Sequence, residues 1–212
     1  MIYNKTISLQ TADYLLGIRA IKLRPNDLFT WASGIKSPIY CDNRVTLSFP
    51  AIRTFIKESF VDAINEKFEK PDLIAGVATG GIPQGALVAE ELNLPFVYVR
   101  TSKKDHGLTN LIEGRVQEGQ KVVVVEDLIS TGSSSLEAVN ALKEAGCIII
   151  GMVAIFTYNL PVSIDRFQEA GCKLITLTDY EILIEKALKT GYINEEDVKI
   201  LRQFKSDLSQ KK

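Results

Sequence analysis

The sequence predicts an α/β protein, a parallel β-sheet flanked by helices, with a small hood or flap contributed by residues about 1–47. Three observations carry this reading. Short apolar runs recur at 73–78, 96–100, 121–125, 148–156 and 174–177; they are rich in β-branched residues and near-continuous, the pattern of strands buried on both faces. Helical segments separate several of them, at 82–92 and at 136–145, the second ended by Gly146, and such alternation implies right-handed crossovers with helices on both faces. Residues 27–47 fit neither period. They are turn-rich, carry Trp31, the only tryptophan, and read as a hairpin or flap over a site, or as an extra edge structure.

The remaining elements follow in chain order. Residues about 8–20 place Leu9, Ala12, Leu15 and Leu16 on one helical face. Ser48 is an N-cap candidate for a helix reaching about Phe68, with Pro50 in its first turn and apolar positions Ile52, Phe55, Ile56, Phe60, Ala63 and Ile64 at spacings of three and four. Residues 180–189 read as a helix stopped by Gly191. Asn194 then caps another that opens Glu195-Glu196-Asp197, acids suited to the positive end of a helix dipole.

A chain of 212 residues fits one domain with a flap. It can bury on the order of 70% of its unfolded surface, so it needs no disulfide or metal staple. Hydrophobic residues at 46% and charged residues at 24% exclude general disorder. The 25 Lys+Arg against 26 Asp+Glu leave a formal charge of -1, which excludes a global basic field for nucleic acid or an anionic membrane. Cys41, Cys147 and Cys172 are odd in number and scattered, unlike a disulfide framework or a zinc site. The start lacks a basic-then-apolar signal, and the longest apolar run, 147–156, is too short for a bilayer; a cytoplasmic location is expected.

The most informative segment is KVVVVEDLISTGSSS, residues 121–135. A buried strand, 122–125, delivers Glu126 and Asp127 at its carboxyl end. Ser130, Thr131, Gly132, Ser133, Ser134 and Ser135 form a loop, and a helix follows. Gly132 permits close backbone approach or a positive φ. Loop amides and hydroxyls can converge on one phosphate at a helix N-terminus, where the dipole favours negative charge. Two carboxylates cannot bind that phosphate, but they suit sugar hydroxyls, or a Mg²⁺ held with them. Together the two halves suggest a phosphorylated sugar. The plain alternative is an acidic strand end followed by a Ser-rich cap. Neither a Walker A loop nor a GxGxxG fingerprint is present.

The run Glu126-Asp127-Leu128-Ile129-Ser130-Thr131-Gly132-Ser133-Ser134 resembles the phosphoribosyl diphosphate (PRPP) signature of the type I phosphoribosyltransferases, and within them it is similar to the orotate-specific branch. The likeness extends from roughly Leu28 to Ile155. It implies PRPP contacts along the whole run, with the 5′-phosphate on 130–134, and Ser130 as the candidate to touch the base.

Three further segments fit the resemblance. In YVRTSKKDHGLTNLIEGRVQEG, residues 98–119, Arg100 ends a strand and Lys103, Lys104 and His106 follow; alone this would read as a solvated charged turn. The family likeness implies that Arg100, Lys104, Asp105, His106 and Gly107 belong to a mobile catalytic loop, with Arg100, Lys104 and His106 reaching the diphosphate of PRPP in the neighbouring subunit of a homodimer. Residues 76–83, GVATGGIP, lie between a strand and a helix, and their glycines let amides face an anion, as in the family's diphosphate loop; a tight turn without a ligand is the alternative. Residues 33–40, SGIKSPIY, are similar to the family's base-side segment. Tyr40 could cover a planar base or pack in the core, and Lys36 could offset a carboxylate or phosphate.

Some members carry a lysine where Ala32 stands, aromatics at both Tyr40 and Cys41, a second basic residue at Thr101, and a base-contacting arginine where Tyr158 stands. Another branch reads SGIKSPIYCDNR, as here. The resemblance implies transfer of the phosphoribosyl group from PRPP to orotate with Mg²⁺ as cofactor. Rival readings are a transferase for another base, or a PRPP-binding regulator of the same fold.

Overall fold

The computed structural model describes residues 1–31, 34–100 and 111–210. Its centre is a six-stranded sheet built from β5 (Leu73–Val77), β6 (Phe96–Val99), β7 (Ile112–Glu113), β8 (Lys121–Ile129), β9 (Ile148–Thr157) and β10 (Leu174–Asp179). The spatial order is β10-β9-β8-β5-β6-β7. Every neighbouring pair is parallel except β6 with β7. The chain moves outward from β5 to β7, then returns across the sheet to lay β8 on the other side of β5. The order therefore reverses between β5 and β8, and a crevice opens beyond their carboxyl ends.

The near-continuous apolar runs have a direct structural cause. Val123 and Val125 face one core and Val122 and Val124 the other, because side chains alternate across a strand. The first core holds α1 (Lys5–Gly17), α2 (Pro50–Lys67), α3 (Gly81–Leu92), α6 (Tyr180–Lys189) and α7 (Glu195–Gln210) against that face. The second holds α4 (Ser133–Glu144), with Phe167 of α5 (Pro161–Glu169). Each fully buried valine stabilises the fold by about 1.5–3 kcal/mol, so the four alternating valines are the strongest determinant of where β8 lies.

The N-terminal segment adds two small antiparallel pairs beside the crevice. β1 (Ile21–Leu23) pairs with β4 (Ile39–Cys41), and β2 (Phe29–Thr30) with β3 (Lys36–Ser37). A 3₁₀ turn, Asn43–Ser48, leads into α2.

Several boundaries differ from those the sequence suggests. The strand expected to end at 125 continues to Ile129, because β9 keeps pairing with it: Glu126 opposes Ala154, Leu128 opposes Phe156 and Ile129 opposes Thr157. The two acids therefore sit within the strand and not at its end. Ser48 closes the 3₁₀ turn, and the N-cap of α2 is Phe49, without a side-chain bond. The first helix starts earlier than expected, capped by Asn4 through bonds from Thr6 N–H and Ile7 N–H. Helix α5 was not anticipated. It buries only Ser163 and Phe167, too sparse an apolar stripe to announce itself. Asn194 caps α7 as expected, accepting from the Glu196 and Asp197 amides.

Candidate active site at the sheet reversal

Three segments meet where the sheet order reverses. Pairing between β5 and β8 stops at Gly76 with Val125, so the end of β8 is lined only by β9 on one side and faces the turn after β5 on the other. That turn, residues 78–80, contains a cis peptide between Ala78 and Thr79. It packs so tightly on β8 that a Cβ on Gly80 would overlap the Asp127 carboxylate, and one on Gly81 would overlap the Val125 carbonyl. These glycines are needed for that close approach to β8, a reason the sequence reading, which assigned them to amides facing an anion or to a tight turn, did not contain.

The two acids are not equivalent. Glu126 is 5% exposed and both its oxygens are engaged: Oε1 accepts from Asp127 N–H at 3.0 Å and Oε2 from Ser135 Oγ at 3.0 Å. Burial, reinforced by the charge of Asp127, holds its carboxyl well above the usual range. Asp127 is also pushed up by burial, while its bond with Glu126 and the charge of Arg44 pull the other way. No cation lies within ion-pair distance of it among the described residues. Asp127 is thus the acid left with a carboxylate to offer, and Glu126 anchors the strand end to α4.

Past Ile129 the chain turns through Ser130, Thr131 and Gly132 into α4. Gly132 has φ +78° and a Cβ there would meet the Phe167 ring. The first turn of α4 has no side-chain cap and no acidic residue, so its amides and dipole are left for an anion. Ser133 and Ser134 are exposed, Ser135 is buried on Glu126, and Thr131 Oγ1 lies 3.2 Å from Ser133 Oγ. Ile129 is wholly buried, so among the signature residues its side chain belongs to the core.

Beside the acids is a cavity of about 450 Å³ lined by Thr30, Trp31, Tyr40, Cys41, Leu128, Ser130 and Tyr158. Trp31 and Tyr158 meet edge to face at 5.8 Å, and Tyr40 leans on Phe29 at 5.6 Å. Lys36 does not line it but donates from Nζ to the lining residue Thr30, at Oγ1, at 2.7 Å. Ser130, Tyr40 and Tyr158, singled out in the sequence, thus come together around one cavity.

Arg100 ends β6 as expected. Its Nη1 is buried without a hydrogen-bond partner and stands 3.6 Å from Glu113 Oε1. Lys103, Lys104, Asp105, His106 and Gly107 lie outside the described residues, as do Ala32, Ser33 and Thr101.

Two contributors escaped the sequence reading. Asn43, 1% exposed, donates from Nδ2 to the Asp127 carbonyl at 2.7 Å and accepts from the Cys41 thiol at 3.3 Å. Arg166, on α5, donates from Nη1 to Ser133 Oγ at 2.6 Å and to the Thr131 carbonyl at 3.2 Å. Both act across long sequence separations: Asn43 lies at the end of SGIKSPIYCDNR, whose likeness gave it no role, and Arg166 lies outside every motif singled out.

A sheet reversal that carries paired acids and an uncapped, hydroxyl-lined helix start defines a sugar-phosphate-handling α/β protein. The family model for the phosphoribosyl transferase domain matches residues 47–184. The orotate phosphoribosyltransferase of Phocaeicola vulgatus is 62% identical over 203 residues, 96% of this chain and 96% of the relative. That of Bacteroides fragilis is 58% identical over the same share of both chains. The solved orotate phosphoribosyltransferase of Aeropyrum pernix superposes with a TM-score of 0.74 at 26% identity, covering 86% of this chain and 99% of that one. The chain belongs to the orotate phosphoribosyltransferase family of phosphoribosyltransferases.

Proposed function

We propose that this chain transfers the 5-phosphoribosyl group from PRPP to orotate, giving orotidine 5′-phosphate and diphosphate in pyrimidine synthesis. The observation that carries it is the single crevice at the β5–β8 reversal: an amide-rich turn, a buried acid pair and an uncapped helix start open together, next to a cavity lined by aromatic rings. The α4 start suits the 5′-phosphate, Asp127 suits the ribose hydroxyls, the 78–81 turn suits the diphosphate, and the aromatic cavity suits the base.

In the reaction the C1–oxygen bond of PRPP breaks toward diphosphate. A ring nitrogen of orotate takes its place and gives up its proton. Positive charge develops on the ribose, as at other glycosidic centres, and the Asp127 carboxylate suits its stabilisation. Arg100, with an orphaned buried nitrogen, suits the departing diphosphate. Lys104 and His106 are assigned to the same oxygens, where they stabilise or protonate the leaving group.

A Mg²⁺ carried by PRPP fits this donor set. The ion takes hard oxygen ligands and keeps several from its substrate; Asp127 is the residue that would hold it, since both Glu126 oxygens are engaged by Asp127 N–H and Ser135 Oγ. When bound it supplies charge neutralisation and orientation of the diphosphate. Among the described residues no helix is long and apolar enough to cross a membrane; we place the protein in the cytoplasm as a homodimer that shares the 100–119 loop between subunits.

The test is base-dependent PRPP consumption by one purified sample, with and without Mg²⁺. Orotate supports turnover only with the metal. Turnover with hypoxanthine, xanthine, adenine or uracil in place of orotate, or none with any base, would overturn the assignment.

A further inference from the structure

We infer that Arg166 supplies a cation to the 5′-phosphate, reaching the site from a helix outside the signature; this rests on the reading above of what the α4 start binds. Arg166 sits on α5, after β9, and is 33 residues from Ser133 in sequence. Its Nη1 donates twice into the turn, to Ser133 Oγ at 2.6 Å and to the Thr131 carbonyl at 3.2 Å. Those two bonds place the guanidinium on the lip of the loop.

The charge is not consumed by the protein. Among the described residues no carboxylate lies within ion-pair distance of Arg166, although Asp165 and Glu169 are close in sequence. A guanidinium has five N–H donors in a rigid fork. Bonds from one nitrogen leave Nε and Nη2 without a hydrogen-bond partner among the described residues, in a planar group matched to a phosphate edge. The residues around it are also those left for an anion: the α4 start has neither a side-chain cap nor a first-turn acid, and Ser133 and Ser134 are exposed. Of the long basic side chains described, Arg166 is the one bonded to this loop.

A loop of amides and hydroxyls holds a phosphate by geometry but carries no net charge. A substrate phosphate close to two full negative charges, beside two buried acids, gains from a full positive charge on its far side. Arg166 is exposed and bonds Ser133 and the Thr131 carbonyl, whereas Ser135 is taken up by Glu126, so it offsets the phosphate while making no ion pair with Asp127.

The phosphate is held in the ground state and the transition state alike, so its loss falls mainly on KM for PRPP. In the purified full-length chain, Arg166→Gln should raise KM for PRPP on the order of tenfold to hundredfold, the range for a lost hydrogen bond to a charged group. The orotate KM should change far less. Arg166→Lys should recover part of the loss. Inhibition by ribose 5-phosphate should weaken by a similar factor, while inhibition by inorganic diphosphate should not.

That contrast separates a phosphate contact from a brace for the loop. Equal weakening of both inhibitors, or wild-type KM and wild-type ribose 5-phosphate inhibition in Arg166→Gln, overturns the inference. The side chain is exposed, and circular dichroism of the variant checks its fold. If the wild-type chain forms no product with orotate, the base assignment fails instead. Calorimetric binding of ribose 5-phosphate to wild type and Arg166→Gln then still decides the role of Arg166, because it needs no turnover.

Discussion

Asn43 Nδ2 bonds the backbone carbonyl of Asp127 at 2.7 Å, joining the N-terminal segment to the strand that carries the acids across 84 residues. The same side chain accepts from the Cys41 thiol, and the Asn43 backbone carbonyl accepts from Thr46 Oγ1 at 2.6 Å. Thr46 in turn accepts from Gln84 of α3 at 3.3 Å. A buried polar chain thus runs from Cys41, in the wall of the aromatic cavity, to α3, the helix that follows the 78–80 turn. Asn43→Ala strands the Asp127 carbonyl, and urea unfolding should show a loss of about 1–3 kcal/mol. Asn43→Asp removes the donor and adds a like charge near Asp127, and should lose more.

The acid pair sets a pH dependence whose sign is fixed by its burial. Both folded carboxyls bind protons more tightly than in the unfolded chain. Stability of the free protein therefore falls as pH rises from the ordinary carboxylate range, near 4, through the raised folded values. Glu126→Gln keeps an acceptor for Asp127 N–H and a donor for Ser135 without the buried charge. Its melting temperature should exceed wild type by about 2–4 °C at pH 8, the shift of roughly 1 kcal/mol in a chain this size, with the gap shrinking at pH 5. Turnover should fall. A gap that is constant with pH would show that Glu126 is not the titrating group.

Gly80→Ala probes the close approach of the 78–80 turn to Asp127. The added methyl overlaps the carboxylate, which has a strand behind it and must shift with its neighbours. A misplacement of about 1 Å can cost on the order of 10² in rate. kcat/KM for PRPP should fall by that order while far-ultraviolet circular dichroism stays unchanged.

Tyr158 and Ser130 report on the base. The Tyr158 ring packs on Trp31, Phe156 and Tyr180, and burial lifts its phenol well above the usual range, so it stays a neutral donor at working pH. The hydroxyl makes no hydrogen bond among the described residues. Tyr158→Phe and Ser130→Ala should each raise KM for orotate, roughly tenfold for one hydrogen bond of about 1.4 kcal/mol, with little effect on PRPP. Equal effects on both substrates would remove them from the base contacts.

Lys104→Ala should lower kcat by roughly 10²–10³, by analogy with loss of one oxyanion donor. Mixing inactive Lys104→Ala with inactive Asp127→Asn, under conditions that exchange subunits, should restore measurable activity if the loop serves a neighbouring site. No recovery after verified exchange would confine each loop to its own subunit.

Much of this architecture was legible in the sequence because its cause is local. Residues 122–125 announce a strand buried on both faces, since each valine meets a core on its own side. Gly132 and the serines announce a loop turning into a helix start, which the structure shows without a side-chain cap. The rest depends on contacts that no window of sequence contains. β8 runs on to Ile129 because β9 pairs with it. Asn43 matters because folding brings it to Asp127, and α5 is held by two buried side chains. Arg166 gains its meaning only from the loop that folding sets beside it.

The aromatic cavity is walled chiefly by Thr30, Trp31, Tyr40, Cys41 and Tyr158, whereas the proposed sugar and phosphate contacts lie at the sheet reversal. Nucleobase preference can thus drift by remodelling a short N-terminal appendage while the machinery for the shared donor stays untouched. Swapping that appendage between relatives would be a direct route to enzymes with new acceptors.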